Sequence, residues 1–195
     1  MWDQRYASLD YVYGTQPNDF LRLNAARLPK SKILCLADGE GRNSVYLASL
    51  GYHVTAVDSS EVGLAKTQKL ARQQGVSVAT VHADLADYDL GQGQWTGIVS
   101  IFCHLPAPLR RQVHCNIPTA LATGGVLLLE AYTPKQLEFK TGGPPNAALM
   151  MQSLELATEL NPLRLDLNQE VVRDIHEGSG HYGEGAVVQV IGVRL

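Results

Sequence analysis

Asp58 stands directly after a short apolar run, His53-Val54-Thr55-Ala56-Val57. A carboxylate at a strand end offers two acceptor oxygens side by side, which suits the paired hydroxyls of a ribose. The competing structural role is a helix N-cap, which Ser59 or Ser60 fills as easily. Asp84 closes a second such run, Val76 to His82, where a local turn aspartate is the plainer alternative. Upstream, Asp38-Gly39-Glu40-Gly41 follows Ile33-Leu34-Cys35-Leu36-Ala37. Two glycines there let the chain turn sharply and leave little side chain in a ligand's way. The other chemistry-bearing groups are His104, Glu130, Tyr132 and the segment Arg173-Asp174-Ile175-His176-Glu177-Gly178-Ser179-Gly180-His181. Arg173 and His176 are candidates for orienting an oxyanion, and His176 or His181 for moving a proton near neutral pH. A solvated polar hairpin is the alternative for that segment.

The elements that must position these groups begin with a βαβ unit over Ile33 to Ser60. Its helix carries Val45, Leu47, Ala48 and Leu50 and ends at Gly51. Such a unit brings helix N-terminal amides and a carboxylate around one crevice, a nucleoside-cofactor pocket. The dinucleotide fingerprint G-x-G-x-x-G is incomplete, because Ser44 takes the third glycine's place. Asp38 and Glu40 would stand beside a pyrophosphate and repel it. No G-x-x-x-x-G-K-[ST] occurs. A cationic or zwitterionic ligand tolerates the acids, so the residues favour S-adenosylmethionine over NAD or ATP.

The string LCLADGEGRNSVYLASLGYHVTAVDSSEVGLAK resembles the class I methyltransferases, above all the tellurite-resistance (TehB-like) and thiopurine-methyltransferase-like branches. Gly41-Arg42-Asn43 is the branch-specific part. The chain departs from the pattern at Ala37, where a glycine is usual, and at Asp38, where a cysteine is common. An alanine is tolerated there unless the position needs positive φ. The resemblance implies a Rossmann-like α/β fold: a seven-stranded, mostly parallel sheet with a terminal antiparallel hairpin and helices on both faces. It implies a cofactor pocket of Arg5, Ala37, Asp38, Gly39, Glu40, Gly41, Arg42, Asn43, Asp58, Ser59, Ser60, Asp84, Leu85 and Phe102. In that pocket Asp84 accepts from the adenine amine, Leu85 offers a backbone donor, Arg5 meets the cofactor carboxylate, and Phe102 and Cys103 flank the methionine part.

The remaining pattern continues the alternation. Helices are expected over Ser60 to Gln74, Leu109 to Leu121 and Ala147 to Leu160. Strands are expected over Val76 to His82, Trp95 to Phe102, Val126 to Ala131, Leu163 to Ile175 and Ala186 to Leu195. The chain of 195 residues reads as one domain, with 1–30 as a covering segment rich in aromatics and 132–162 as a substrate-side insertion. Within that insertion, Tyr132 to Asn146 is long enough for a lid, or for a dimer contact. Arg110 and Arg111 read as a solvated helix face, and His53 and His82 as strand histidines. A net charge of −3 gives no general attraction to nucleic acid. No apolar run is long enough to span a membrane, and the first residues are no signal peptide. Three cysteines without a C-x-x-C pair suit reduced thiols and a cytoplasmic location. No metal set is recognisable: His176-Glu177-x-x-x-His181 is one residue too long for a helical zinc motif.

The expected activity is methyl transfer from S-adenosylmethionine to a small-molecule acceptor, by a monomer or homodimer. Within that class the resemblance implies soft or anionic acceptors, such as a thiol or the chalcogen oxyanions tellurite and selenite. His104, Arg173 and His176 are the catalytic candidates. The alternatives are an NAD(P)-linked oxidoreductase and a non-catalytic sensor that keeps the cofactor site.

Overall fold

The computed structural model describes residues 2–195. Its centre is one seven-stranded sheet in the order β3-β2-β1-β4-β5-β7-β6. The strands are β1 (Lys32–Leu36), β2 (His53–Asp58), β3 (Ala79–His82), β4 (Trp95–Ile101), β5 (Leu121–Tyr132), β6 (Arg164–Glu177) and β7 (His181–Val193). The first five run parallel, and β7 lies antiparallel between β5 and β6. The helices are α1 (Trp2–Tyr6), α2 (Asp19–Asn24), α3 (Arg42–Ser49), α4 (Glu61–Gln73), α5 (Ala107–Ala120) and α6 (Ser153–Glu159).

Strand alternation sends β1 side chains to two cores. Leu34 and Leu36 pack with Val113, Ile117 and Leu156 of α5 and α6. Ile33 and Cys35 pack with Leu21, Val45, Leu47, Leu64 and Leu70 of α2, α3 and α4. Because both faces are covered, the central strands are continuously apolar. Among the described residues no helix is long and apolar enough to cross a membrane.

Several expected elements differ in extent, among them the third strand, which begins at Ala79 and not at Val76. The helix expected over Ala147 to Leu160 is a short 3-10 turn at Ala147–Leu149 followed by α6. Between them the Met150 carbonyl accepts from Arg110 Nη1 at 2.9 Å, and Met151 N–H donates to the Tyr132 carbonyl at 2.9 Å. Those groups are therefore lost to a helical ladder. The fifth strand begins earlier than Val126, because Leu121 already pairs with Trp95. The final hairpin is longer on both sides, leaving only Gly178 to Gly180 as its turn. Arg110 is buried and not on a solvated face: its guanidinium meets Glu159 at 2.8 Å and Glu155 at 3.2 Å, while Glu159 also takes His114 Nδ1 at 2.7 Å. Arg111 is exposed.

Candidate active site

Over the carboxyl ends of β1, β2 and β4 lies a cavity of about 430 Å³. Its floor is the loop after β1, where the chain turns through Ala37 at φ +49° and Gly39 at φ +62°. Gly41, at φ +90°, precedes α3, and a Cβ there would stand 2.6 Å from Thr67 Cγ2. The sequence thus has glycine where α4 crosses closest. Ala37 and Phe102, both left-handed without being glycine, line the cavity. Backbone strain of this kind collects at ligand sites. The roof is Trp2, Arg5, Tyr6 and Tyr13 on one side and Gly142 to Pro145 on the other.

At one end, Asp58 accepts from Gly39 N–H at 2.8 Å through Oδ2 and from Ser60 N–H at 2.8 Å through Oδ1. Each oxygen keeps acceptor capacity toward the cavity. Burial raises the Asp58 pKa, and the two backbone bonds oppose it. Ser59, Asp84 and Leu85 line the same end, with Asp84 Oδ1 closing a local turn onto Ala86 N–H at 2.9 Å. Asp38 lines the middle and accepts from the Ser44 hydroxyl. Burial pushes the Asp38 carboxyl up to about 6, against that bond and with Asp58 adding to the rise.

The far end is aromatic. Phe102 stacks 4.6 Å from Tyr132 and meets His181 edge-on at 4.6 Å, and Tyr13 lies 4.6 Å from His181. His104 Nε2 accepts from Tyr132 N–H at 3.0 Å, which fixes the neutral tautomer. Burial, with His181 nearby, brings the His104 pKa down to about 3. Burial lowers His181 as well, against the pull of Glu177. Burial drives the Cys103 thiol up to about 12. The His104 imidazole is therefore a weak base, and the Cys103 thiol stays protonated at neutral pH.

Arg5, Ala37, Asp38, Arg42, Asn43, Asp58, Ser59, Asp84, Leu85, Phe102 and His104 all come together around the cavity. Gly39, Glu40, Gly41 and Ser60 do not line it. Glu40 is turned away, held by Lys66 Nζ at 2.7 Å and Val12 N–H at 2.8 Å. Its charge is already neutralised, so it sets the loop and not the ligand. Ser60 caps α4 by accepting from Gly63 N–H at 3.0 Å. Arg173 and His176 also lie outside the cavity lining. Period-two alternation along β6 buries Ile175 and Glu177 and sends His176 outward, where it stacks on Tyr182 at 4.7 Å. Arg173 points inward but is engaged by Glu130 and Glu177. Sequence reasoning passed over Tyr13 as a wall of the site. It also passed over Asn18, whose Nδ2 bridges Glu130 at 2.7 Å and Glu177 at 2.8 Å. The signal available was the aromatic N-terminus itself.

Comparison with known proteins agrees with this architecture. A family described as "Methyltransferase domain" matches residues 33–125. The chain is 38% identical over 56 residues to the uncharacterized methyltransferase YbaJ of Bacillus subtilis, covering 29% of this chain and 22% of YbaJ. It is 37% identical over 54 residues to TehB of Haemophilus influenzae, a probable S-adenosyl-L-methionine-dependent methyltransferase, covering 28% and 19%. The crystal structure of H. influenzae TehB superposes with a TM-score of 0.72 at 22% identity, over 91% of this chain and 62% of that one. Residues 33–125 thus match a methyltransferase domain, and the chain shares its fold with TehB. The aligned segments span about a fifth of each curated relative. The N-methyltransferase NodS from Bradyrhizobium japonicum WM9, solved with S-adenosyl-L-homocysteine, shares the fold over 99% of this chain and 96% of its own, with a TM-score of 0.69 at 13% identity.

S-Adenosylmethionine is the cofactor these similarities indicate, and the side chains present fit it. Asp58 and Asp84 would offer acceptors to a nucleoside, Asp38 an acid to an ammonium, and Phe102 and Tyr13 aromatic faces to a sulfonium.

Proposed function

We propose that this chain transfers a methyl group from S-adenosylmethionine to a small acceptor whose nucleophile is soft or already ionised, a thiolate or a chalcogen oxyanion of the tellurite or selenite kind. Bound in the cavity, the cofactor supplies an electrophilic methyl group. Asp58 and Asp84 would hold its nucleoside, and Asp38 with Arg5 its amino-acid end. The observation that carries the acceptor class is His104. Its Nε2 is committed to Tyr132 N–H, and its pKa is far below neutral, so no strong base serves the far end of the cavity. A nucleophile that needs deprotonation would find no help there, whereas one that arrives ionised needs only alignment and exclusion of water. Arg5, Tyr13 and residues 142–145 supply that cover.

Support for methyl transfer over hydride transfer comes from Asp38, an acid on the cofactor loop that opposes a pyrophosphate. Calorimetric titration with S-adenosylhomocysteine and with NAD tests the cofactor. Methyl transfer from labelled S-adenosylmethionine to selenite, tellurite and a panel of thiols and amines tests the acceptor. Transfer only to amines that need deprotonation would overturn the acceptor class. Silence toward every acceptor with cofactor binding intact would favour a sensor.

A further inference from the structure

The wall of the cavity nearest the β6–β7 turn holds buried polar atoms without hydrogen-bond partners. Arg42 is 7% exposed and His181 6%, and both line the cavity. Arg42 Nη1 and His181 Nδ1 have no hydrogen-bond partner. The two side chains flank one carboxylate oxygen, Glu177 Oε2, with Arg42 Nη2 at 2.7 Å and His181 Nδ1 at 3.8 Å. Glu177 Oε2 itself lacks ideal hydrogen-bond geometry but is in ion-pair contact with Arg42. The Tyr132 hydroxyl, which does not itself line the cavity, is also buried and unpartnered. Buried polar groups are nearly always satisfied, so an unpartnered guanidinium N–H beside an unpartnered imidazole nitrogen on the cavity lining marks a missing ligand.

Charge accounting agrees. Behind the wall, Arg42 and Arg173 face Glu130 and Glu177, a balanced set held by Asn18 and by Gln189 Nε2, which donates to Glu130 at 2.7 Å. His181 stands at the edge of that set, 3.8 Å from Glu177 Oε2. An entering anion would find the free edge of a guanidinium, a compensable imidazole and an aromatic surround.

We propose that Arg42 and His181 form an oxyanion subsite, which holds the anionic group of the methyl acceptor. The inference rests on the methyltransferase reading and adds the residues that recognise the acceptor. His181 opens β7, four places from β2 and its Asp58 in the sheet order, whereas Arg42 opens α3 directly after the loop that carries Asp38. The cofactor's own carboxylate has the same chemistry, so the experiment must separate the two sources.

The test titrates sodium selenite into the wild-type chain, free and saturated with S-adenosylhomocysteine, and into His181→Phe and Arg42→Lys. His181→Phe keeps an aromatic ring against Tyr13 and Phe102 but removes the nitrogens. Arg42→Lys keeps a cation for Glu177 and removes the second prong, so it serves if the first variant misfolds. Selenite should bind the saturated wild type. Each variant should weaken that binding by roughly tenfold or more, the scale of a lost charge-assisted hydrogen bond. S-Adenosylhomocysteine affinity should stay within about twofold in His181→Phe, since a twofold change is only about 0.4 kcal/mol. No selenite binding to the wild type, or binding indifferent to both substitutions, overturns the subsite. Competition between selenite and S-adenosylhomocysteine would assign it to the cofactor tail instead. So would Arg42→Lys weakening that ligand while sparing 5′-methylthioadenosine, which lacks the carboxylate. Failure of the wild type to bind S-adenosylhomocysteine at all would sink the methyltransferase reading separately, because selenite binding is also read without it.

Discussion

Gly39 N–H donates to Asp58 Oδ2 at 2.8 Å, tying the turn after β1 to the end of β2. The bond fixes the carboxylate where two strand ends meet, with its remaining acceptor capacity toward the cavity. Asp58→Ala should weaken S-adenosylhomocysteine binding by about 1.5–3 kcal/mol, the range for hydrogen bonds to a charged group. Calorimetry measures it, and unchanged affinity would remove Asp58 from the pocket. Some folding stability should be lost as well, because Gly39 and Ser60 lose their acceptor.

Ala37 sits at φ +49°, a left-handed conformation that glycine adopts without strain. A left-handed conformation costs an L-residue roughly 1–2 kcal/mol, while glycine adds unfolded-chain entropy of opposite sign. Ala37→Gly should therefore stabilise the fold by about 0.5–1 kcal/mol net. A urea midpoint that rises without a change in slope would show this; a fall would mean the alanine methyl packs more than the strain costs.

Much of the fold was legible because it rests on local signals. The run Ile33 to Ser60 carries strand, glycine turn, helix and acid in order, and the structure repeats that order. The hairpin side was less legible because its side chains are chosen by parity and pairing. His176 and Glu177 are neighbours in sequence, yet one faces solvent and the other a buried ion network. Arg110 shows the same limit: its partners Glu155 and Glu159 come from a helix more than forty residues away. Glu40 looked like a ligand group because its partner Lys66 lies on the next helix, which no motif reveals.

Arg110 joins α5 to α6 and holds the Met150 carbonyl at the end of the 142–149 segment. Arg110→Met would leave Glu159 buried beside His114 without its main cation. The expected cost is about 3–5 kcal/mol, as for a broken buried pair. Arg110→Lys should lose less. Denaturant unfolding gives both values, and a change under about 1 kcal/mol in Arg110→Met would show the cluster to be dispensable.

His176 stacks on Tyr182 on the outer face of β6 and touches none of the cavity. His176→Ala should leave both cofactor affinity and the methyl-transfer rate within about twofold, as expected of an exposed position. His181→Phe should instead reduce the rate with selenite, and an equal response to both substitutions would argue against the assignment by strand parity.

Asp38 gives the site a pH dependence of defined sign. Its pKa rises on folding from 3.8 to about 6, mainly through burial. The folded state therefore binds this proton more tightly than the unfolded chain. The resulting stability is fully present below the unfolded value and is lost as pH climbs through about 6. Cofactor binding should run the other way. An ammonium beside Asp38 favours the ionised carboxylate, so affinity for S-adenosylhomocysteine should increase from pH 5 to 7.5 by roughly tenfold. Binding near pH 5.5 should release protons, seen as a calorimetric heat that depends on the buffer's ionisation enthalpy. Asp38→Asn should flatten both the affinity profile and the proton release. A wild-type affinity that falls over the same range, or a profile unmoved by Asp38→Asn, would mean that the cofactor's ammonium lies elsewhere.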